Sequence, residues 1–423
     1  MGKLKTSFSK NLKQFVMLIA LVVIIVFFQL LTRGTLLKPM NVFNLINQNA
    51  YVVVLAAGML VCILTGGNID LSVGSVAGFS GMVMALAARN LGLPWWLAVL
   101  LSLAIGAVVG AWQGFWLSKL GIPGFITTLG GMMILRGGVI WISRSISVPA
   151  PPQLKMFGAG YLPDWGPAWT GMNNSTLLLG VIGIAAFAVS QLRRRKRTAQ
   201  LTGHTEELWP VVVRIVLVGS VIGGLTWIFG TGRPGTSFPV PGLILVILVI
   251  IYHTITQRTT FGRHIYAVGG NKSAAALSGV NVQRTYFLTM LNMSVLAALA
   301  GIMFVGRATA AGPSDGTGWE MDAIASVFIG GAAVSGGVGT VLNTMIGGLV
   351  MAVLNSGLML MGVGADRTQV IKGFVLLVAV AFDVFNKQQG RPSILGRLFP
   401  PRESGHREEA PEEAAPREQT LGR

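Results

Sequence analysis

The chain has 423 residues, of which 52% are hydrophobic and only 11% charged, against about 25% charged in a soluble protein. That balance excludes a soluble enzyme or binding module and makes this a polytopic membrane protein. The net charge of +17 is gathered at the chain ends and in a few loops, which marks membrane topology and not nucleic-acid binding.

The apolar runs are long and continuous, so the predicted fold is an all-α polytopic membrane protein of ten to twelve transmembrane helices, not a β-barrel. Phe15 to Leu31 follows Lys3, Lys5, Lys10 and Lys13, with no small-residue cleavage site after it. It reads as an uncleaved first helix with residues 1–14 in the cytoplasm. Leu45 to Ala88 would be about 66 Å long as one helix, twice a bilayer core of about 30 Å. It is predicted as two passes broken at Gly66, Gly67 and Asn68, with Asp70 where the second begins. Asp70 has two readings. It is an N-cap that complements the helix dipole, or it lines a solute path where the break lies inside the membrane.

Trp95 to Leu117 carries the ladder Gly106, Gly110, Gly114, which permits close helix contact. Gly121 to Ile142 holds Arg136, and residues 143–173 form a Pro- and Trp-rich loop placed outside. Thr176 to Leu192 ends in the basic run Arg193 to Arg197, the strongest inside signal in the chain. Pro210 to Phe229 goes out. Gly242 to Ile255 returns to a polar loop with Arg258, Arg263, Lys272 and Arg284, placed inside by the same rule. Tyr286 to Val305 then leads to an acidic, Gly-rich outer loop. Asp322 to Ala333 is too short to cross and reads as a half-helix ending at Ser335 to Gly339. Leu342 to Met361 and Val370 to Phe385 complete the spans. Both ends fall in the cytoplasm, and 388–423, rich in Pro, Glu, Arg and Ala, reads as a disordered cytoplasmic tail.

The two halves share a weak pattern: a small-residue helix, a Gly-containing break, an Asp and a nearby Ser (Asp70 and Ser75, Asp322 and Ser326). Paired Gly-interrupted segments point to a transporter's binding region; chance likeness among Gly/Ala-rich helices is the competing explanation. Cys62 is the only cysteine and the histidines do not cluster, so no metal or nucleophile motif is present. Gly269 to Ser273 is not a phosphate-binding loop, because Asn271 stands where that loop needs glycine. A proton-driven carrier would draw on Asp70 and Asp322. The inside loop instead holds a short helix former, Ser273 to Ser278, stopped by Gly279. A short helix shown to the cytoplasm suits a partner's groove.

Here the sequence resembles a known family. "FGRHIYAVGGNKSAAALSGVNVQRT" (261–285) is similar to the coupling loop of permease subunits in bacterial sugar ABC importers. "IDLSVGS" (69–75) and "MDAIASVFIGGAAVSGGVGT" (321–340) resemble the same family's first- and second-half motifs, and with "QVIKGFVLLVAVAFD" (369–383) the likeness covers roughly residues 40–387. An extra span pair at about 175–230 looks like the xylose-type and multiple-monosaccharide permeases. The resemblance implies a membrane permease domain over 15–387 with a coupling loop at 257–285. It implies two permease chains, most simply a homodimer, a cytoplasmic ATPase that holds the ATP and Mg, and a periplasmic protein that delivers a monosaccharide. This chain is then a transporter subunit of the bacterial inner membrane, with no enzymatic activity and no cofactor of its own. Gly262, Arg263, Gly269, Gly270, Asn271, Ala275, Leu277, Gly279 and Asn281 are the residues it assigns to coupling.

A sugar offers hydroxyls and apolar C–H faces, so uncharged polar and aromatic side chains suit its path. Candidates are Asn47, Gln48, Asn49, Gln113, Asn292 and Asn355, with Trp112 or Trp116 nearby, beside the break residues Asn68, Asp70 and Asp322. The plainer reading of each is a hydrogen bond to a neighbouring helix. A proton-coupled secondary sugar carrier is the rival function.

Overall fold

A computed structural model describes residues 2–166, 170–202, 207–231 and 236–387. The tail expected at 388–423 lies outside the described residues. Met1–Asp383 forms one compact unit, and the fold below is that unit's.

The helices run in chain order as α1 (Gly2–Leu31), α2 (Pro39–Leu64), α3 (Val73–Asn90), α4 (Trp95–Ser118), α5 (Gly124–Ser143), α6 (Lys155–Ala159), α7 (Asn174–Thr202), α8 (Leu208–Gly230), α9 (Val240–Arg258), α10 (Thr260–Gly270), α11 (Lys272–Leu277), α12 (Val282–Ala308), α13 (Trp319–Ile329), α14 (Val341–Leu360) and α15 (Ala365–Lys387). Among the described residues the only strands are β1 (Val148–Pro149) and β2 (Ala310–Ala311), paired antiparallel. They tie the loop after α5 to the acidic loop after α12. Among the described residues, eight helices are long and apolar enough to cross a membrane: α2, α4, α5, α7, α8, α9, α12 and α14. Counted with α1, α3 and α15, they fall within the ten to twelve read from sequence.

The centre is α12, against which α2, α3 and α4 pack. Glycine makes this possible. A Cβ at Gly106 would stand 2.7 Å from Ala298 Cβ, one at Gly110 2.7 Å from Leu291 Cα, and one at Gly114 3.0 Å from Phe287 Cδ2. The ladder on α4 is therefore a seam on which α12 lies almost backbone to backbone. Gly58 of α2 leaves room for Met293 in the same way. α2, α12 and α14 are mostly buried, whereas α7 and α8 are mostly exposed and pack chiefly on each other, with Gly180 against Thr226. This extra pair meets the rest through Phe229, edge-on to Phe43 at 4.9 Å and to Phe238 at 5.2 Å.

Four local expectations change. The basic run Arg193 to Arg197 does not follow a helix but continues α7 to Thr202. Arginine and lysine are good helix formers once past the apolar stretch. Gly269 and Gly270 are not loop residues but the last turn of α10. The half-helix α13 starts at Trp319, and at 11 residues it is indeed too short to cross. Asp70 is not the cap of α3: Ser72 holds that position, and Asp70 Oδ1 accepts from the Ser72 amide at 2.8 Å and its hydroxyl at 2.7 Å.

Candidate functional site

Two chain breaks and the polar segment α10–α11 meet in one place. The first break follows α2. Thr65 turns its hydroxyl to the Cys62 carbonyl at 2.6 Å, and Gly66 and Gly67 take φ values of +105° and +77°. The second lies between α13 and α14, where Gly331, Gly336 and Gly337 have φ values of +79°, +85° and +72°. Non-glycine residues rarely enter this region. Gly66, Gly67, Gly336 and Gly337 lie where the breaks touch, whereas Gly331 has open space beside it. A Cβ on Gly67 would stand 2.5 Å from Val334 O, one on Gly336 2.6 Å from Gly66 Cα, and Gly337 N donates to Leu64 O at 3.0 Å.

The helix α10 rests on both breaks. A Cβ on Gly269 would come 2.5 Å from Gly337 N and 2.9 Å from Leu64 C. Tyr266 Oη donates to the Gly339 carbonyl at 2.8 Å and accepts from Gln257 Nε2 at 3.2 Å. Gly262, at the other end, fits against the last turn of α9, where a Cβ would fall 2.6 Å from Thr256 C. Arg263 is exposed beside it.

Asn271 ends α10 and caps α11, accepting from Ala274 N at 2.9 Å; Asn281 caps α12, accepting from Arg284 N at 2.8 Å. Both caps satisfy amides that a helix start leaves unpaired. Gly279, at φ +84°, makes the turn between them, and like Gly270 has open space where a Cβ would sit. Ala275 faces inward, while Leu277 is 91% exposed. A leucine held that far out on a capped short helix is a ready apolar contact.

The candidate path residues fall into separate clusters. Gln113, fully buried on α4, donates to Ser72 Oγ at 2.7 Å and so joins Asp70. Asn68 donates to Thr65 O at 3.3 Å, and Thr128 of α5 bonds the Leu71 amide at 3.1 Å. Elsewhere Asn355 Nδ2 donates to Asn49 Oδ1 at 3.4 Å, and Asn49 Nδ2 donates to Leu45 O at 2.9 Å, with Ser356 Oγ at 3.5 Å. Close to them Lys372 of α15 pairs with Asp322 at 3.0 Å. Asn292 accepts from Tyr252 Oη. Gln48 offers its carbonyl to Arg307 at 3.4 Å. Trp112 and Trp116 meet edge to face with centroids 6.3 Å apart. Among the described residues no three His, Cys, Asp or Glu side chains come together as metal ligands would.

The sequence reading missed Tyr266, Lys372, Glu320 and any role for Arg136, which stands 3.7 Å from Glu320. For Arg136 and Lys372 the signal available was charge within an apolar span, which membranes admit only with a partner; Tyr266 carried none.

A family model described as "Branched-chain amino acid transport system / permease component" matches residues 41–380. The xylose transport system permease protein XylH of Escherichia coli (strain K12) is 37% identical over 382 residues, covering 90% of this chain and 94% of that protein. The ribose import permease protein RbsC of the same strain is 33% identical over 351 residues (82% and 86%). The fructose import permease protein FruG of Bifidobacterium longum (strain NCC 2705) is 30% identical over 347 residues (82% and 83%). No solved structure matches the chain significantly. With apolar spans throughout, two interlocked glycine breaks and a match over residues 41–380, the chain belongs to the branched-chain amino acid transport system / permease component family.

Proposed function

We propose that the chain is the membrane-spanning subunit of an ATP-binding-cassette importer that moves a monosaccharide across a bacterial inner membrane. The observation that carries this reading is the permease match over residues 41–380 together with a loop that presents a capped helix and an exposed Leu277. A separate ATPase docks there and supplies the hydrolysis. A periplasmic binding protein delivers the sugar at the opposite face, and a second copy of this chain completes the path. Both termini lie in the cytoplasm, on the side of the coupling loop and the basic run of α7. Xylose is the first sugar to test, on the strength of 37% identity to a xylose permease over 90% of the chain.

The mechanism follows from where α10 sits. A push on α10–α11 reaches Leu64 and Gly337 at once, because Gly269 is wedged against both. The end of α2 and the loop below α13 then move together, and packed helices switch between discrete arrangements instead of deforming smoothly. Path polar groups such as Asp70, Gln113, Asn49, Asn355 and Asn292 offer sugar hydroxyls alternative partners as the helices shift.

The proton-coupled rival is tested directly. The chain is reconstituted in vesicles with the ATPase and binding protein of its own gene neighbourhood, and labelled xylose, ribose and fructose are supplied. Uptake should need ATP and the ATPase, and should persist when an uncoupler collapses the proton gradient. Sugar accumulation by the chain alone would overturn the reading.

A further inference from the structure

The first turn of α13 carries two acids whose partners come from different helices: Lys372 of α15 for Asp322, and Arg136 of α5 for Glu320. The two pairs are built differently. Lys372 Nζ lies 3.0 Å from each carboxylate oxygen of Asp322, a closed pair. Arg136 Nη2 stands 3.7 Å from Glu320 Oε1, beyond hydrogen-bond reach. Glu320 is 7% exposed, yet its Oε2 has no hydrogen-bond partner among the described residues.

Other groups in the same sector are left open. Gly74 of α3 is pressed against Glu320, where a Cβ would stand 2.8 Å from Oε2. Ser75, next along α3, is buried with its hydroxyl unpartnered among the described residues. Asp70, in the turn that leads into α3 four residues before Gly74, is fully buried, spends Oδ1 on Ser72 and leaves Oδ2 unpartnered among the described residues. Arg136 sits well inside the apolar helix α5. A guanidinium at that depth facing lipid alone would be costly, so its exposed edge calls for a polar surround.

We infer that Arg136, Glu320, Asp70 and Ser75 form a transient site for sugar hydroxyls, with Arg136 as donor and the two carboxylates as acceptors. The inference rests on the importer reading above. A vicinal diol suits it: one hydroxyl accepts from the guanidinium while donating to Glu320, and its neighbour reaches Asp70 or Ser75. Release strands no ion, because Arg136 and Glu320 stand 3.7 Å apart without sugar and each keeps a nearby counter-charge. The Lys372–Asp322 pair, in contact through both carboxylate oxygens, serves as the internal control.

The test uses the full importer in vesicles, with the ATPase and the binding protein, and labelled xylose and ribose as probes. Glu320→Gln and Arg136→Lys should each lower sugar moved per ATP roughly tenfold, the loss of one charge-assisted hydrogen bond. ATP hydrolysis stimulated by the binding protein should be little changed. The double exchange R136E/E320R keeps the two charges opposite each other and should still not restore uptake. Near wild-type uptake in both single variants, or full recovery by the exchange, would overturn the inference and leave a structural pair. If wild-type complex moves no sugar at all, the importer reading falls first and this site with it.

Discussion

Among the described residues, Tyr266 is the one side chain that bonds α10 to the second break, through the Gly339 carbonyl at 2.8 Å. Tyr266→Phe removes that oxygen and keeps the ring. The net loss of such a bond is about 1 kcal/mol, and an unpaired carbonyl left behind costs about 1–3 kcal/mol. The fold should tolerate this, since Gly269 still wedges against Leu64 and Gly337 and the Gly337–Leu64 bond remains. The energy comes out of the link between docking helix and break. One to two kcal/mol there corresponds to about a 5- to 30-fold shift in a two-state balance. Sugar moved per ATP should therefore fall by about 5- to 30-fold, while hydrolysis stimulated by the binding protein stays near wild type. The assay is parallel measurement of phosphate release and labelled xylose uptake in the same vesicles. An unchanged ratio would show that α10 does not act through Gly339.

Leu277→Asp should leave the chain's own stability unchanged, because the side chain is 91% exposed. It should weaken pull-down of the ATPase by about 10- to 100-fold, the worth of one leucine buried at an interface. Gly110→Leu should lower thermal stability in detergent, by about 1–3 kcal/mol or more, since its Cβ alone would stand 2.7 Å from Leu291 Cα. Lys372→Met strands the buried Asp322 and should cost about 3–5 kcal/mol, and the double variant K372M/D322L should recover much of it in the same melting assay.

Hydropathy and glycine placement revealed a good deal of this molecule in advance. They located the spans, the break after Leu64, a half-helix near Asp322 although not its bounds, and a short helix stopped before Gly279. These features depend on neighbours in the chain: an apolar run of bilayer length, a residue that accepts positive φ, a side chain that caps its own helix. The ladder Gly106, Gly110, Gly114 announced a close contact but not that α12 would fill it. Asp70 was legible as a carboxylate near a helix start, yet its place in the turn before Ser72 depends on Gln113 and Thr128 from two other helices. Gly67 against Val334, Gly269 against Leu64, Asn49 with Asn355, and Arg136 with Glu320 are distant in sequence. Such pairs carry no local signature. Close packing of helices around α12 brings them together, and the sign and fit of each contact are set by which faces that packing turns toward one another.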